Sequence, residues 1–252
     1  MQNVFITGAS SGLGCALAQR YAQGGARLGL VARRGETLRA LADTLPGKHH
    51  CYALDVQDRA ALHAAANDFI GMCDGRVDVV VASAGISAGT LTEHVEDFDV
   101  FKAITDTNLL ATVATFEPFI EPMRRIGAGR LVGIASVAGI RGLPGAGAYS
   151  ASKAAVISYC ESLRVELAAA GIRVVTIAPG YIKTAMTAHN LYAMPFLMEP
   201  DAFAARAQAA IARGTSYTVI PWQMGIVGKL LRLLPNVVYD RAFRNAPRKP
   251  RR

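Results

Sequence analysis

The sequence predicts an α/β fold in which a doubly wound parallel sheet forms a single domain. Three observations support this prediction. Short apolar segments alternate with longer segments of helical spacing, a glycine-rich turn follows the first apolar segment, and no linker rich in Pro, Gly or Ser divides the chain. A chain of 252 residues with 52% hydrophobic and 18% charged residues can bury the core that such a domain needs.

The strands are predicted where short runs of Val, Ile, Leu and Ala occur. Six segments fit this description: residues 4–7, 27–32, 50–55, 77–82, 130–135 and 173–178. The helices are predicted where apolar residues recur at helical spacing, most clearly at residues 13–23, 36–44 and 60–72. Right-handed crossovers wind strands and helices in this order into a Rossmann-type nucleotide-binding fold.

A glycine-rich turn, TGASSGLG, spans residues 7–14, directly after the first predicted strand. The helix that begins near Gly12 directs free N–H groups and the positive end of its dipole toward a phosphate. Such a turn can also simply connect a strand to a helix, but its position after the first strand favours pyrophosphate binding. The residues of the turn expected to bind a dinucleotide are Gly8, Ser10, Ser11, Gly12, Leu13 and Gly14.

Two arginines, Arg33 and Arg34, follow the second predicted strand, where no carboxylate occurs. A dinucleotide with a free ribose 2′-hydroxyl calls for an acidic residue there, whereas a 2′-phosphate calls for arginine. A guanidinium binds phosphate through two parallel, charge-assisted hydrogen bonds. A solvated pair of loop charges is the alternative interpretation, but two arginines without an acid favour NADP(H) over NAD(H).

The segment AYSASKAAVI, residues 148–157, places a tyrosine and a lysine four residues apart in an apolar, alanine-rich stretch. Residues at this spacing share one face of a helix, so Tyr149 and Lys153 can converge on one point. We expect the ammonium to lower the pKa of the phenol from about 10 toward neutrality, which suits proton transfer with an alcohol or a carbonyl. The alternative is a structural helix face from which the lysine extends to solvent.

In their order along the chain, these motifs resemble those of the short-chain dehydrogenase/reductase family. The resemblance covers residues 3 to about 184 and includes ASAG at 82–85, TNLLAT at 107–112, GIASVAG at 133–139 and PGYIKT at 179–184. It implies an NADP(H)-dependent oxidoreductase that interconverts a carbonyl and a secondary alcohol. Ala82 and Ser83 stand where the family often has paired asparagines, so the hydrogen bonds of those side chains are expected to be replaced or lost.

The resemblance also implies roles for particular residues. Ser136 would bind the substrate oxygen, Tyr149 would transfer the proton, and Lys153 would hold the nicotinamide ribose. Asn108 would anchor a water that connects Lys153 with solvent. The implied catalytic residues are Asn108, Ser136, Tyr149 and Lys153. Beyond the glycine turn, the implied cofactor contacts are Arg33, Arg34, Asp55, Val56, Ala84, Gly85, Asn108, Tyr149, Lys153, Pro179, Gly180, Ile182 and Thr184.

The composition argues against several other classes of function. The formal net charge is +8, but six basic residues and no acidic one lie between residues 241 and 252, so binding of nucleic acid by the rest of the chain is not expected. The four cysteines and five histidines are dispersed, which predicts no metal site and no disulfide framework. A first strand at Val4 leaves no room for a signal peptide, and a cytoplasmic location is expected.

Residues 184–215 are expected to form a flap over a small-molecule substrate. Its apolar side chains favour a lipophilic carbonyl or alcohol, although they could instead pack the flap onto the body of the protein. These side chains are Met186, Leu191, Tyr192, Met194, Phe196, Leu197 and Met198.

Residues 222–252 are expected to form an apolar helix followed by a basic tail. The helix could pack on a second subunit, which predicts a homo-oligomer, or fold back over the substrate pocket of its own chain. A peripheral contact with an anionic membrane is the weaker alternative.

Two rival functions belong to different classes. A non-catalytic NADP(H)-binding sensor or scaffold would have no need of the serine, tyrosine and lysine. Another nucleotide-dependent enzyme, such as a methyltransferase, could use the glycine turn but gives no reason for those three residues to converge. Both alternatives therefore account for less of the sequence than an oxidoreductase does.

Overall fold

The first part of the chain alternates strands and helices, as the sequence predicts. The computed structural model describes residues 1–188, 190 and 193–251. The elements from the start of the chain are β1 (Asn3–Thr7), α1 (Gly12–Gln23), β2 (Arg27–Ala32), α2 (Gly35–Thr44), β3 (His50–Ala53), α3 (Arg59–Met72) and β4 (Val79–Ala82).

The second part contains longer helices between the strands. A π-helical turn, Asp106–Leu110, lies between α4 and α5. The elements are α4 (Asp97–Thr105), α5 (Ala111–Ile126), β5 (Gly129–Ile134), α6 (Gly147–Glu166), β6 (Ile172–Pro179), α7 (Pro200–Arg213), β7 (Tyr217–Ile220), α8 (Trp222–Leu233) and α9 (Asn236–Phe243).

The strands form one parallel sheet in the order β3-β2-β1-β4-β5-β6-β7. The chain proceeds from β1 toward one edge and then returns to β4, on the other side of β1. The strand order therefore reverses between β1 and β4, whose last residues, Thr7 and Ala82, pair with each other. A crevice beyond the carboxyl ends of these two strands is where doubly wound sheets bind ligands. The predicted fold class is confirmed.

All six predicted strands are present, with ends that differ by at most two residues from the expectation. β3 ends early because the chain turns after it, where the Asp55 carboxylate accepts a hydrogen bond from the amide of Gln57. β7 was not predicted. It has four residues at the edge of the sheet, of which Tyr217 is 40% exposed and Ile220 is buried.

Side chains of β1 alternate between two cores, one on each face of the sheet. Val4 and Ile6 are fully buried on the face that α1 and α7 cover. Phe5 is fully buried on the other face, where its ring lies 5.7 Å from that of Phe69 and 5.0 Å from that of Phe119, measured between centroids. The two cores fix the sheet between layers of helices and so hold the ends of its strands in place.

The predicted flap spans residues 184–215, and its second half packs on the sheet as helix α7 (Pro200–Arg213). α7 buries Phe203, Ala207 and Ile211 in the same core as Leu17 of α1. Residues 184–199 are therefore the part of the predicted flap that can lie beside a ligand.

The predicted apolar helix corresponds to α8, and the predicted basic tail begins with a second helix, α9, joined to α8 through Leu234 and Pro235. The Arg141 guanidinium donates hydrogen bonds to the carbonyl oxygens of Leu231 and Leu234, the latter at 2.7 Å, and lies 3.9 Å from the centroid of the Tyr239 ring. These contacts fix α9 against the loop after β5. No helix in the described part of the chain has the length and apolar character needed to cross a membrane.

Candidate active site

A cavity of about 490 Å³ opens at the carboxyl ends of the central strands. Its wall is formed by the residues that follow each strand from β1 to β6. The predicted cofactor residues that line it are Gly8, Ser10, Ser11, Gly12, Leu13, Gly14, Arg33, Arg34, Asp55, Val56, Ala84, Gly85, Tyr149, Lys153, Pro179, Gly180, Ile182 and Thr184. Ser136 also lines the cavity, and Asn108 is fully buried nearby.

The glycine turn between β1 and α1 requires its glycines. Gly8 and Gly12 have positive φ values of 69° and 58°. A Cβ atom at Gly14 would lie 2.4 Å from the carbonyl oxygen of Gly8, so only glycine permits this turn. The side chain of Ser11, just before α1, makes no cap hydrogen bond. The turn therefore presents backbone and the start of a helix to the cavity, which fits the pyrophosphate of a dinucleotide.

Arg33 and Arg34 both reach the end of the cavity beyond β2. The Arg34 guanidinium donates a hydrogen bond to the hydroxyl of Ser10 at 3.3 Å. An Arg33 nitrogen lies 3.8 Å from a carboxylate oxygen of Asp55, and the Arg33 side chain is 67% exposed. Both guanidinium groups thus bring positive charge to this end of the cavity, although Asp55 partly offsets the charge of Arg33.

The hydroxyl of Thr7 binds the backbone at and next to the positions where the family often has paired asparagines. It accepts hydrogen bonds from the backbone amides of Ser83 at 3.2 Å and Ala84 at 3.3 Å. Thr7 is the last residue of β1 and is 1% exposed. The end of β4 is therefore tied to β1 through a side chain of the neighbouring strand, and Ala84 and Gly85 are held at the wall of the cavity.

Ser136 and Tyr149 meet where the loop after β5 contacts α6. The Ser136 side chain lies close enough to the Tyr149 hydroxyl to interact with it, and the Ser136 hydroxyl accepts a hydrogen bond from the amide of Ala138 at 3.1 Å. The loop can approach α6 closely because residue 139 is glycine. A Cβ atom at Gly139 would lie 2.7 Å from the carbonyl carbon of Lys153. The glycine thus sets the distance between the serine and the tyrosine.

Lys153 is buried beside Tyr149, as the spacing predicts. Lys153 is 5% exposed, and its ammonium donates a hydrogen bond to the carbonyl oxygen of Ile134 at 2.7 Å. The ammonium nitrogen lies 5.8 Å from the centroid of the Tyr149 ring. Burial lowers the pKa of this lysine to about 8 because the charged form loses its hydration.

The expectation that Lys153 lowers the pKa of Tyr149 is wrong for the protein's own groups. Burial raises the pKa of the Tyr149 hydroxyl above its usual value, and the interaction with the Ser136 side chain lowers it by a smaller amount. Removing the phenolate from water costs more than the neighbouring groups return. At neutral pH the tyrosine therefore keeps its proton and can act as a proton donor.

Asn108 lies in the π-helical turn and holds the loop after β4. Its side-chain amide donates to the Ile86 carbonyl oxygen at 3.0 Å and to the Ser152 hydroxyl at 3.0 Å, and its side-chain oxygen accepts from the Ile86 amide at 2.9 Å. These bonds connect the loop to α6 one residue before Lys153. The turn is of a kind that often occurs at functional sites.

A second cavity, of about 280 Å³, opens from the first at Ser136 and Tyr149. Its walls are mostly apolar, and part of them comes from the end of the chain. The residues from the C-terminal end are Phe243, Ala246, Pro247 and Lys249. The end of α9 and the tail after it therefore line a pocket of their own chain, whereas none of the described lining residues comes from α8.

The sequence did not single out these C-terminal residues as site residues. Other lining residues that it missed are Ser83, Ile86, Thr107 and Thr187. Thr107 is adjacent to the predicted Asn108, which was a usable signal. The C-terminal residues had none, because they reach the cavity through contacts with distant parts of the chain, such as the hydrogen bond from Lys249 to Ser87, which crosses 162 positions.

Part of the predicted flap lies at these cavities. Met186 lines both, and Met198 pairs with Ile182. Phe196 and Leu197 are 50% and 46% exposed. Leu191 and Tyr192, which were expected to belong to the flap, lie outside the described residues.

Comparisons with known proteins agree with this geometry. A sequence model of the family described as short chain dehydrogenase matches residues 2–193. An uncharacterised oxidoreductase of Myxococcus xanthus is 37% identical over 246 residues, which cover 96% of this chain and 96% of that protein. The chain belongs to the short-chain dehydrogenase family. The resemblance seen in the motifs is confirmed, and the protein is an oxidoreductase of carbonyl and hydroxyl groups that uses a nicotinamide cofactor.

Two further members of the family show what its relatives bind. A 3-oxoacyl-[acyl-carrier-protein] reductase of Rattus norvegicus is 35% identical over 184 residues, 73% of this chain and 77% of that protein. The crystal structure of a 3-ketoacyl-(acyl-carrier-protein) reductase from Brucella melitensis in complex with NADH has a TM-score of 0.80 and 27% identity. It covers 87% of this chain and 96% of its own. These relatives do not distinguish NADP(H) from NAD(H) for this short-chain dehydrogenase.

Proposed function

We propose that this short-chain dehydrogenase uses NADP(H) to interconvert a carbonyl and a secondary alcohol on a lipophilic substrate. The observation that carries the proposal is the convergence of Ser136, Tyr149 and Lys153 at the junction of the two cavities. A protein that only bound the dinucleotide would have no use for a proton donor and a serine hydroxyl at that junction.

The residues present fit a nicotinamide dinucleotide. The glycine turn would hold its pyrophosphate, Arg33 and Arg34 its 2′-phosphate, and Lys153 the ribose beside the nicotinamide. When bound, the cofactor supplies the hydride that a carbonyl reduction needs. All other chemistry must come from the chain.

The chain's own groups position and protonate the substrate oxygen. A carbonyl oxygen placed between the hydroxyls of Ser136 and Tyr149 can accept a hydrogen bond from each, which orients the carbonyl and stabilises negative charge that develops on its oxygen. Tyr149 then gives its proton to that oxygen. Because burial raises its pKa, the tyrosine carries this proton at neutral pH, as a proton donor must.

The preference for NADP(H) is supported by charge. Two guanidinium groups lie beyond β2 and one of them contacts Ser10. Asp55 is the nearby carboxylate, and it follows β3 rather than β2. An acidic residue at the end of β2, which would hold a ribose 2′-hydroxyl, is replaced here by arginine.

The lipophilic substrate is supported by the second cavity. Apolar side chains of Val137, Leu143, Pro144, Met186 and Phe243 line it, and the residues that carry the reacting hydroxyls line it too. A pocket of this kind accepts an apolar body attached to a carbonyl group.

The test is to follow NADPH absorbance against a panel of carbonyl compounds of different size and polarity, and NADP⁺ reduction with the matching secondary alcohols. Turnover that favours apolar compounds and NADPH supports the proposal. Tight cofactor binding without turnover in either direction would favour the sensor instead.

The expected homo-oligomer and the expected membrane contact stay predictions. α8 buries Met224 and Gly228, whereas Trp222, Leu230 and Leu233 on its other side are 63%, 60% and 79% exposed. This face is available to a second copy of the chain or to a membrane surface.

A further inference from the structure

We propose that the C-terminal segment, residues 243–251, is the wall of the substrate cavity that limits the length of the substrate. The proposal rests on the proposed function and deepens it, because it assigns the selection of substrates to the last residues of the chain. The segment returns from α9 across the loop after β4 and the loop before α6. Three sets of contacts hold it there.

The first set is an ion pair with a buried carboxylate. The Arg251 guanidinium donates to both carboxylate oxygens of Asp97, at 2.9 and 3.1 Å, and to the Glu96 carboxylate at 2.8 Å. Asp97 is 4% exposed and lies at the start of α4. A bidentate arginine–carboxylate pair fixes geometry as well as charge, so it sets the position of the segment's end.

The second set joins the segment to the loop after β4. The Gly89 amide donates a hydrogen bond to the Pro250 carbonyl oxygen at 3.0 Å, and the Lys249 ammonium donates to the Ser87 hydroxyl at 2.9 Å. A Cβ atom at Gly89 would lie 2.2 Å from the Lys249 carbonyl oxygen. The chain therefore has glycine at the position where any side chain would push the segment away.

The third set is with the loop before α6. A Cβ atom at Gly145 would lie 2.8 Å from the Cβ of Arg248, so a second glycine permits close packing of the segment. Asp97, Gly89 and Gly145 thus contact the segment 243–251 at three separate places.

The segment held in this way lines the second cavity together with the reacting groups. Phe243, Ala246 and Pro247 line this cavity, and Ser136 and Tyr149 line both it and the first cavity. A substrate whose carbonyl lies at Tyr149 must extend its apolar body toward these side chains. The wall therefore limits how long that body can be, and the substrates are apolar carbonyl compounds of bounded length.

The experiment measures kcat/KM for a homologous series of methyl ketones of increasing chain length. Phe243→Ala shortens a side chain of the wall itself. We expect it to raise kcat/KM for long ketones relative to short ones by at least about tenfold, since each methylene accommodated in an apolar pocket is worth that much. Arg251→Gln and Gly89→Ala displace the segment and should shift the same length limit, whereas the KM for NADPH should not change.

Matched controls separate this effect from general damage. Arg232→Gln removes an exposed arginine of α8, and Gly142→Ala adds a Cβ that meets nothing within 4 Å. Both should keep the wild-type length profile. The proposal is overturned if Phe243→Ala, Arg251→Gln and Gly89→Ala all keep that profile too.

Failure of the proposed function gives a different result. In that case the wild-type protein turns over no ketone. The length limit is then measured as binding affinity, by calorimetric titration of the same ketones into the Tyr149→Phe variant loaded with NADPH. A length limit that moves when Phe243→Ala is added upholds the wall, and an unmoved limit or no binding rejects it.

Discussion

Replacing Lys153 with methionine should separate what the buried ammonium costs from what it does. The lysine is 5% exposed and burial lowers its pKa from 10.5 to about 8. A shift of this size corresponds to roughly 3 kcal/mol of folding free energy, at about 1.4 kcal/mol for each pKa unit. Methionine fills a similar volume without a charge, and loses only the hydrogen bond to the Ile134 carbonyl, worth about 1 kcal/mol.

The sign of the pH dependence follows from which state holds more protons. Below about pH 8 the lysine is charged in both states, so the full cost of burial opposes folding. Between about pH 8 and 10.5 the folded lysine is neutral and the unfolded one is still charged, so stability rises with pH. Lys153→Met lacks this rise and, at pH 7, should be more stable than the wild type by about 1–2 kcal/mol.

The assay is urea unfolding followed by circular dichroism at pH 7 and pH 9.5, for both proteins. Taking the difference between them cancels the titration of tyrosines and cysteines that both share. The variant should also lose carbonyl reduction by a factor of at least about 100, because the group proposed to hold the ribose beside the nicotinamide is removed and the reacting atoms are misplaced. A variant that is less stable at pH 7 and has the same pH dependence as the wild type would show that burial of the charged lysine does not destabilise the folded protein.

Two further predictions concern cofactor choice and the sheet edge. Arg34→Gln should raise the KM for NADPH about tenfold and leave the KM for NADH unchanged, because one charge-assisted contact with the 2′-phosphate is lost. The control is Arg39→Gln, which changes an exposed arginine of α2. An equal rise in KM for both cofactors would contradict the assignment. Thr7→Val should reduce stability by about 1–3 kcal/mol in urea unfolding, because the Ser83 and Ala84 amides lose their acceptor. Thr44→Val, at an exposed site, is the control and should change stability little. Unchanged stability of Thr7→Val would show that these two hydrogen bonds do not stabilise the fold.

Local motifs explain why much of the site could be predicted from the sequence. The glycine turn occupies eight consecutive residues, and Tyr149 and Lys153 share a helix face whatever the helix packs against. The strand order then brings the ends of β1, β4 and β5 together, because each apolar run is short and is followed by a helix.

Depth of burial and long-range contacts could not be predicted in the same way. The direction of the Tyr149 pKa shift depends on how completely the phenol is removed from water, which spacing along a helix does not reveal. The hydrogen bonds that Thr7 accepts from Ser83 and Ala84 cross 76 and 77 positions, and those that Arg251 donates to Asp97 cross 154. β7 escaped notice because an edge strand of four residues with partly exposed side chains carries no periodic signal.

Reduction of a carbonyl by NADPH in Tyr149→Phe, compared with Tyr159→Phe, tests most directly whether Tyr149 is the proton donor. Both residues lie on α6, but the Tyr159 ring stacks against Phe116 at 6.4 Å, away from the cavities. Tyr149→Phe should lower kcat by about 100- to 10,000-fold with little change in the affinity for NADPH, and Tyr159→Phe should retain activity. Equal activity of the two variants on a substrate that the wild type reduces would contradict the mechanism.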